Sequence, residues 1–159
     1  MISVAVITVS DRASRGEYED KSGRALRQLC KKRGWEVREQ AIVPDEKKVI
    51  QGRTIKFSGR CNVVLLTGGT GIAERDVTPE AIRAISTKEL PGFGEVMRAM
   101  SFKRFPHAIL SRSMATVIGQ SLVICLPGSP KGAVECLAFV ADAIPHAVEL
   151  LQGKTKHAQ

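Results

Sequence analysis

The chain has 159 residues, enough for one domain that buries roughly two-thirds of its unfolded surface. Its 43% hydrophobic and 25% charged residues make an ordinary globular balance and exclude a disordered or collagen-like chain. Lys and Arg number 24 against 16 Asp and Glu, and the resulting charge of +8 favours anionic ligands such as nucleotides and phosphorylated metabolites.

Residues 3–9 read as an apolar first strand that Ser10-Asp11-Arg12 ends with turn chemistry. The opening MISVAVITVS has no basic leader and runs straight into charged residues, so it is a strand rather than a signal peptide. No apolar run reaches the length of a membrane span. A polar loop from Ala13 to Lys21 follows, long for a strand-to-helix connection and therefore a candidate functional loop. Ser22 is placed as the N-cap of a helix whose inner face is Ala25, Leu26, Leu29 and Cys30 and which Gly34 stops. Lys31-Lys32-Arg33 in its last turn suits the helix dipole.

The second strand, Val37 to Val43, stops at Pro44, and a helix is expected from about Glu46 to Phe57. Val63 to Thr67 is a short apolar run with the look of a buried strand, and it breaks at once into Gly68-Gly69-Thr70-Gly71. Glycines there permit positive φ and let a ligand approach the bare main chain, where successive N–H groups can form an anion-binding concavity. Asp76 precedes Thr78-Pro79-Glu80, a strong helix start with Thr as N-cap and Pro at the first helical position, and this helix is expected to run to about Thr87. Pro91-Gly92-Phe93-Gly94 reads as a punctuated break before a helix carrying Val96, Met97 and Met100. Two short strands, Ala115–Ile118 and Ser121–Leu126, are joined by a Gly119-Gln120 hairpin turn, and Ser111-Arg112-Ser113 lies in the polar turn before them. Pro127-Gly128-Ser129-Pro130 is a second strand–glycine–helix junction. The terminal helix presents Ala133, Leu137, Val140, Ile144, Val148 and Leu151, and Pro145 kinks or splits it. The pattern implies a single domain over residues 1–153 with a frayed tail over 154–159. Its sheet is expected to be mostly parallel, flanked by helices, with the hairpin adding an antiparallel strand.

In an open parallel sheet the carboxyl ends of the strands share one edge, so Ser10-Asp11, Pro44-Asp45, Gly68 to Gly71 and Gly128-Ser129 can line one crevice. Asp45 and Asp76 are then candidates for a Mg²⁺ site completed by substrate phosphates. Taken singly, Asp45 reads better as a plain N-cap, and Asp76 is equally a turn residue before the Thr78 cap. Other chemistries fail on spacing. Cys30, Cys61, Cys125 and Cys136 are scattered, which argues for buried thiols in a reduced compartment and against zinc. Gly153-Lys154-Thr155 is no Walker motif, Gly69-x-Gly71 lacks a third glycine, and Ser129 lacks a nucleophile-elbow frame. Aromatics are too few for a single-strand stacking platform, so neither nucleic acid nor membrane is an expected partner.

Taken together, Thr67-Gly68-Gly69-Thr70-Gly71, Asp76-Val77-Thr78-Pro79-Glu80-Ala81, Pro91-Gly92-Phe93-Gly94-Glu95, Leu110-Ser111-Arg112-Ser113 and Leu126-Pro127-Gly128-Ser129-Pro130-Lys131 resemble the Mog/MoaB family. Ser10-Asp11-Arg12 and Pro44-Asp45-Glu46 also match, in order along nearly the whole chain. The family makes molybdenum cofactor and includes molybdopterin adenylyltransferases and the gephyrin G domain. The Pro-Gly-Phe-Gly-Glu block is closer to the Mog branch.

The resemblance implies a three-layer α/β fold in a homotrimer with one site per subunit; the cytoplasmic location is expected separately, from the scattered thiols and the lack of a leader or span. It also implies a reaction in which the terminal phosphate of molybdopterin attacks the α-phosphate of Mg·ATP, releasing pyrophosphate. Carried over by residue, Asp45 and Asp76 match the two functional aspartates, with Mg²⁺ positioning as their role. Thr67, Gly68, Gly69, Thr70 and Gly71 match the nucleotide-phosphate cradle. Ser10, Asp11, Ser111, Arg112, Ser113, Gly128, Ser129 and Pro130 match the molybdopterin side, although relatives commonly carry Asn or Gln where this chain has Ser129. Product handover to a molybdate-insertion protein follows from the same resemblance. The MoaB-like alternative is a protein that holds molybdopterin or nucleotide, or serves as a scaffold, without turnover.

Overall fold

The computed structural model describes residues 1–154; residues 155–159, most of the tail expected to fray, lie outside the described residues. Six strands, β1 (Ser3–Val9), β2 (Glu36–Val43), β3 (Val63–Thr67), β4 (Lys88–Glu89), β5 (Met114–Ile118) and β6 (Ser121–Leu126), form one sheet in the order β2-β1-β3-β6-β5-β4. β1 pairs in parallel with both β2 and β3, and β3 pairs in parallel with β6. β5 runs antiparallel to β6 through the Gly119-Gln120 turn, and β4 runs antiparallel to β5.

Helices cover both faces because the chain reverses its winding direction at β1. It steps outward to β2 and then returns past β1 to β3, and right-handed crossovers place the two connecting helices on opposite faces. Alternate side chains of each strand therefore enter two separate cores. Val4 and Val6 of β1, Val63 and Leu65 of β3, and Leu122 and Ile124 of β6 face one layer. That layer comprises α2 (Lys21–Lys32), α5 (Pro91–Phe102), α6 (Pro130–Val140) and α7 (Ile144–Leu151). Ala5, Ile7, Val64, Leu66, Val123 and Cys125 face α3 (Lys47–Ser58) and α4 (Thr78–Arg83). Full burial on both faces accounts for the unbroken apolar runs of β1, β3 and β6. Among the described residues no helix is long and apolar enough to cross a membrane.

Several local expectations are corrected. α2 is capped by Asp20, whose carboxylate accepts from the Gly23 amide (2.9 Å) and from the Thr8 hydroxyl on β1 (2.8 Å); Ser22 lies inside the first turn. Thr78 is helical rather than a cap, and its hydroxyl donates to the Gly68 carbonyl (2.8 Å), tying α4 to the glycine turn. α4 ends at Arg83 instead of reaching Thr87, because Thr87 is drawn to β5 by its amide and hydroxyl bonds to the Val117 carbonyl.

The Pro91–Gly94 block is no break. Pro91 starts α5, where its missing N–H costs nothing, and both glycines are helical. A short helix, α1 (Asp11–Ser14), and a 3₁₀ turn, Pro106–Leu110, have no counterpart in the sequence reading. Pro145 splits the terminal helix, with a 3₁₀ turn at Ala141–Ala143 between α6 and α7.

Candidate active site

The reversal of winding leaves a crevice outside the carboxyl ends of β1 and β3, the position where open α/β sheets bind ligands. Its volume is about 260 Å³, and its lining includes Ser10, Asp45, Thr67, Gly68, Gly69, Asp76, Gly128 and Pro130. Residues from the ends of β1, β2, β3 and β6 and the loops that follow them thus converge on one space. Tyr18 and Asp20 of the segment after β1, and Lys21 at the start of α2, also line it.

The glycine turn is shaped by close approach. Gly68 has φ of +106°, and a Cβ there would lie well inside contact of the Val9 carbonyl oxygen on β1. Gly69 has φ of +69°, and a Cβ there would sit 3.1 Å from Asp45 Oδ1 and inside contact of the Thr78 hydroxyl. On the other side, Gly128 would bring a Cβ to 3.3 Å from the Gly68 Cα, so β3 and β6 meet glycine to glycine. Thr67 is buried, and its hydroxyl donates to the Pro127 carbonyl (2.7 Å), which links the two glycine junctions. Thr70 is also buried.

Asp45 does not cap α3; the structure decides that alternative. Glu46 occupies the cap position without a side-chain bond, while Asp45 Oδ2 accepts from the Asp11 amide (3.0 Å) and Asp11 Oδ1 accepts from the Asp45 amide (3.0 Å). This reciprocal pair locks the loops after β1 and β2 together. Arg75 adds a two-pronged bond to the Asp11 carboxylate, with Nε and Nη2 at 2.9 and 2.8 Å. Burial works to raise the Asp11 carboxyl, but Arg75 and the Asp45 amide outweigh it and hold the group below its ordinary value. Asp45 goes the other way. Burial pushes its carboxyl up, the Asp11 amide opposes, and the charges of Asp11 and Asp76 push it further.

Asp76 Oδ2 accepts from the Ala73 amide (3.0 Å), and a Cβ on Gly71 would stand 2.7 Å from that same oxygen. Among the described residues nothing donates to Oδ1 of Asp45 or of Asp76. Two mutually repelling carboxylates beside a bare glycine turn, each with one oxygen that accepts no bond, form a hard-oxygen donor set suited to Mg²⁺. Among the described residues no three His, Cys, Asp or Glu side chains gather closely enough to hold a metal alone. The rest of the shell would come from phosphate and water.

The remaining sequence-derived residues sit nearby in two ways. Ser10 caps α1 through the Ala13 amide (3.1 Å). The turn after β6 alternates: Gly128 and Pro130 line the crevice, whereas Pro127 and Ser129 line a second cavity of about 400 Å³. Ser111, His107, Arg98, Arg104 and Lys131 also line that cavity, and one carboxylate, Glu135, faces the three cations there. The Ser129 hydroxyl accepts from the Gly132 amide (3.1 Å) and caps α6. Ser111 and Ser113 share a hydroxyl–hydroxyl bond (3.0 Å).

Arg112 does not line the second cavity but borders a third, of about 300 Å³, with Ser111 and Ser113, and its guanidinium bonds the carbonyls of Gly71 and Asp76 and the Glu80 carboxylate. Three supporting residues escaped the sequence reading. Arg75 had only its adjacency to Asp76 as a signal. Arg98 donates to the Ser113 carbonyl (2.7 Å) and stacks four residues after Gly94, where a Cβ would fall 2.9 Å from its Nη2. That spacing is a signal only once the Pro91–Gly94 block is recognised as helical. Asp20 lines the crevice while capping α2.

Sheet order and site together define an α/β protein with a composite ligand crevice at its switch point. Residues 5–146 match the family model described as a probable molybdopterin binding domain. A molybdopterin adenylyltransferase of Helicobacter pylori strain J99 is 46% identical over 156 residues, covering 96% of this chain and 89% of that protein. One of Escherichia coli strain K12 is 38% identical over 169 residues, covering 96% and 86%. The crystal structure of the molybdopterin biosynthesis enzyme MoaB from Thermus thermophilus superposes with a TM-score of 0.90 at 41% identity, covering 96% and 98%. The chain belongs to the Mog/MoaB family.

Proposed function

We propose that this chain is a molybdopterin adenylyltransferase whose nucleotide lies on the Gly68–Gly71 turn and whose pterin phosphate approaches from the Ser111–Ser113 and Gly128–Pro130 side. The observation that carries this reading is the alternation of the turn after β6. Its residues belong in sequence to both cavities, so ligands in the two spaces would meet across Gly128. An oxygen of the pterin's terminal phosphate forms a bond to the α-phosphorus of ATP. The bond from that phosphorus to the bridging oxygen breaks, and pyrophosphate leaves with its electrons.

Little proton transfer is required, so alignment and charge stabilisation supply most of the catalysis. Asp45 and Asp76 would hold Mg²⁺, which supplies positive charge for the departing pyrophosphate. The glycine-turn amides face the phosphates with no Cβ to hold them off. Arg98 and Lys131 add cationic character on the pterin side. A homotrimer fits the exposed apolar side chains Phe102 at the end of α5, Phe105 in the link that follows, and Ile109 and Leu110 in the 3₁₀ turn, which ask for a covering surface. Handover of product to a molybdate-insertion protein belongs to the same reading.

The test is incubation with molybdopterin, ATP and Mg²⁺, reading adenylylated pterin by mass spectrometry. Wild type is expected to form product, and Asp76→Asn to lose about 10²-fold or more in turnover while melting at the same temperature. Tight pterin binding without product under several divalent metals would instead establish a MoaB-like binding protein.

A further inference from the structure

The Ser111–Ser113 segment is held from both sides by arginines. From α5, Arg98 Nη1 donates to the Ser113 carbonyl (2.7 Å), with the Ser111 carbonyl at 3.5 Å. Arg112 reaches in the opposite direction. Its amide donates to the Thr70 carbonyl (2.9 Å), its Nε to the Gly71 carbonyl (2.8 Å) and its Nη2 to the Asp76 carbonyl (2.7 Å), while Nη1 meets the Glu80 carboxylate. Those contacts bracket residues 72–75, which are exposed and form neither helix nor strand. Asp76 stands at the end of this loop. The loop's own bonds, from the Ala73 amide to Asp76 Oδ2 and from the Asp76 amide to the Ala73 carbonyl, fix its shape but not its place relative to the sheet. Two arginines supply the place: Arg75 through its two-pronged bond to Asp11, and Arg112 through the carbonyls on either side of the loop.

We propose that Arg112 is a positioning residue for Asp76, so that its side chain serves the nucleotide and metal half of the site although its backbone lies between two serines of the pterin half. This rests on the adenylyltransferase reading for the identity of the ligands, and it differs from the family resemblance, which groups Arg112 with the pterin phosphate. A planar guanidinium can satisfy two carbonyls and a carboxylate at fixed angles, which an ammonium cannot. Glu80 completes the brace. Burial would raise its carboxyl, yet the bond from Arg112 outweighs this and keeps the group ionised, holding the fork in its plane.

The experiment compares Arg112→Lys and Glu80→Gln with wild type in three measurements. Amide exchange of residues 72–76 in the ligand-free protein is expected to speed up about tenfold in Arg112→Lys and less in Glu80→Gln. Affinity for the Mg²⁺ complex of a non-cleavable α,β-methylene analogue of ATP is expected to fall about tenfold, the scale of other outer-shell losses around a metal. Molybdopterin affinity, read by fluorescence quenching, is expected to stay within about twofold. Loss of molybdopterin affinity in Arg112→Lys, with the nucleotide complex and amide exchange unchanged, would overturn the proposal and make Arg112 an anion ligand. If Arg112→Lys does not fold, Glu80→Gln decides: it must loosen residues 72–76 and weaken the nucleotide complex, and unchanged values sink the brace. Wild type that binds both ligands without forming product would remove the adenylyltransferase reading while leaving the brace measurable.

Discussion

Replacing Gly68 by alanine separates backbone strain from close approach at the site. Two glycines share a positive φ but differ in surroundings: Gly119, in the hairpin turn, has φ of +61° and nothing within 4 Å of a built Cβ. Gly119→Ala should therefore cost only the left-handed conformation, about 1–2 kcal/mol. Gly68 has φ of +106°, and the added methyl meets the carbonyl oxygen of Val9, the last residue of β1, which pairs with Val43 of β2. That oxygen belongs to backbone and cannot rotate aside, so an overpacking cost of about 1–3 kcal/mol adds to the strain. Gly68→Ala is then expected to lose about 2–5 kcal/mol in all. At about 2–4 °C per kcal/mol for a chain of this size, Gly119→Ala should melt a few degrees below wild type and Gly68→Ala roughly 10 °C below. Urea denaturation followed by circular dichroism gives the free energies directly. The turnover assay adds the functional half: Gly119→Ala retains activity, and Gly68→Ala loses it even when assayed well below its melting temperature. Equal destabilisation of the two variants would refute the close-approach argument, because strain alone would then account for both.

Two further outcomes follow from the geometry. Asp11→Ala removes the acceptor of the Asp45 amide and the partner of Arg75, so the Mg²⁺ concentration for half-maximal turnover should rise about tenfold with a change in melting temperature of only a few degrees; an unchanged Mg²⁺ dependence would show that the amide of residue 11 alone holds Asp45 in place. Burial raises the Cys30 thiol from 9.0 to about 11 and the Cys125 thiol from 9.0 to about 12. Because the folded values lie above the unfolded ones, this contribution is fully present below pH 9.0 and is lost as the unfolded thiols ionise above it. Each thiol should steepen the fall of unfolding free energy by up to about 1.4 kcal/mol per pH unit between about pH 9 and 11, and Cys30→Ala/Cys125→Ala should flatten that fall. A decline of the same slope in the double variant would assign it to other groups.

Much of this protein was determined by sequence alone, wherever the physics is local. Fully buried strands declare themselves as unbroken apolar runs, so β1, β3 and β6 were legible almost to the residue, and the Gly119-Gln120 hairpin followed from turn chemistry. Gly68, Gly69 and Gly128 marked the strand ends because only glycine tolerates the backbone conformations and contacts required there. The ordered motifs also led to the right family. What remained illegible depended on partners distant in the chain. Asp45 has the sequence appearance of a helix cap, and only the adjacency of β1 and β2 brings the Asp11 amide to it instead. Pro91–Gly94 carries the signals of a break, and packing of α5 against α6 and β5 overrides them. Arg112, between two serines, carries no sign in the sequence that the fold brings the Gly71 and Asp76 carbonyls to its guanidinium. Strand and turn identity are properties of a few consecutive residues, whereas the target of a long charged side chain is set by which loops the sheet order brings together, and that was decided only in the tertiary structure.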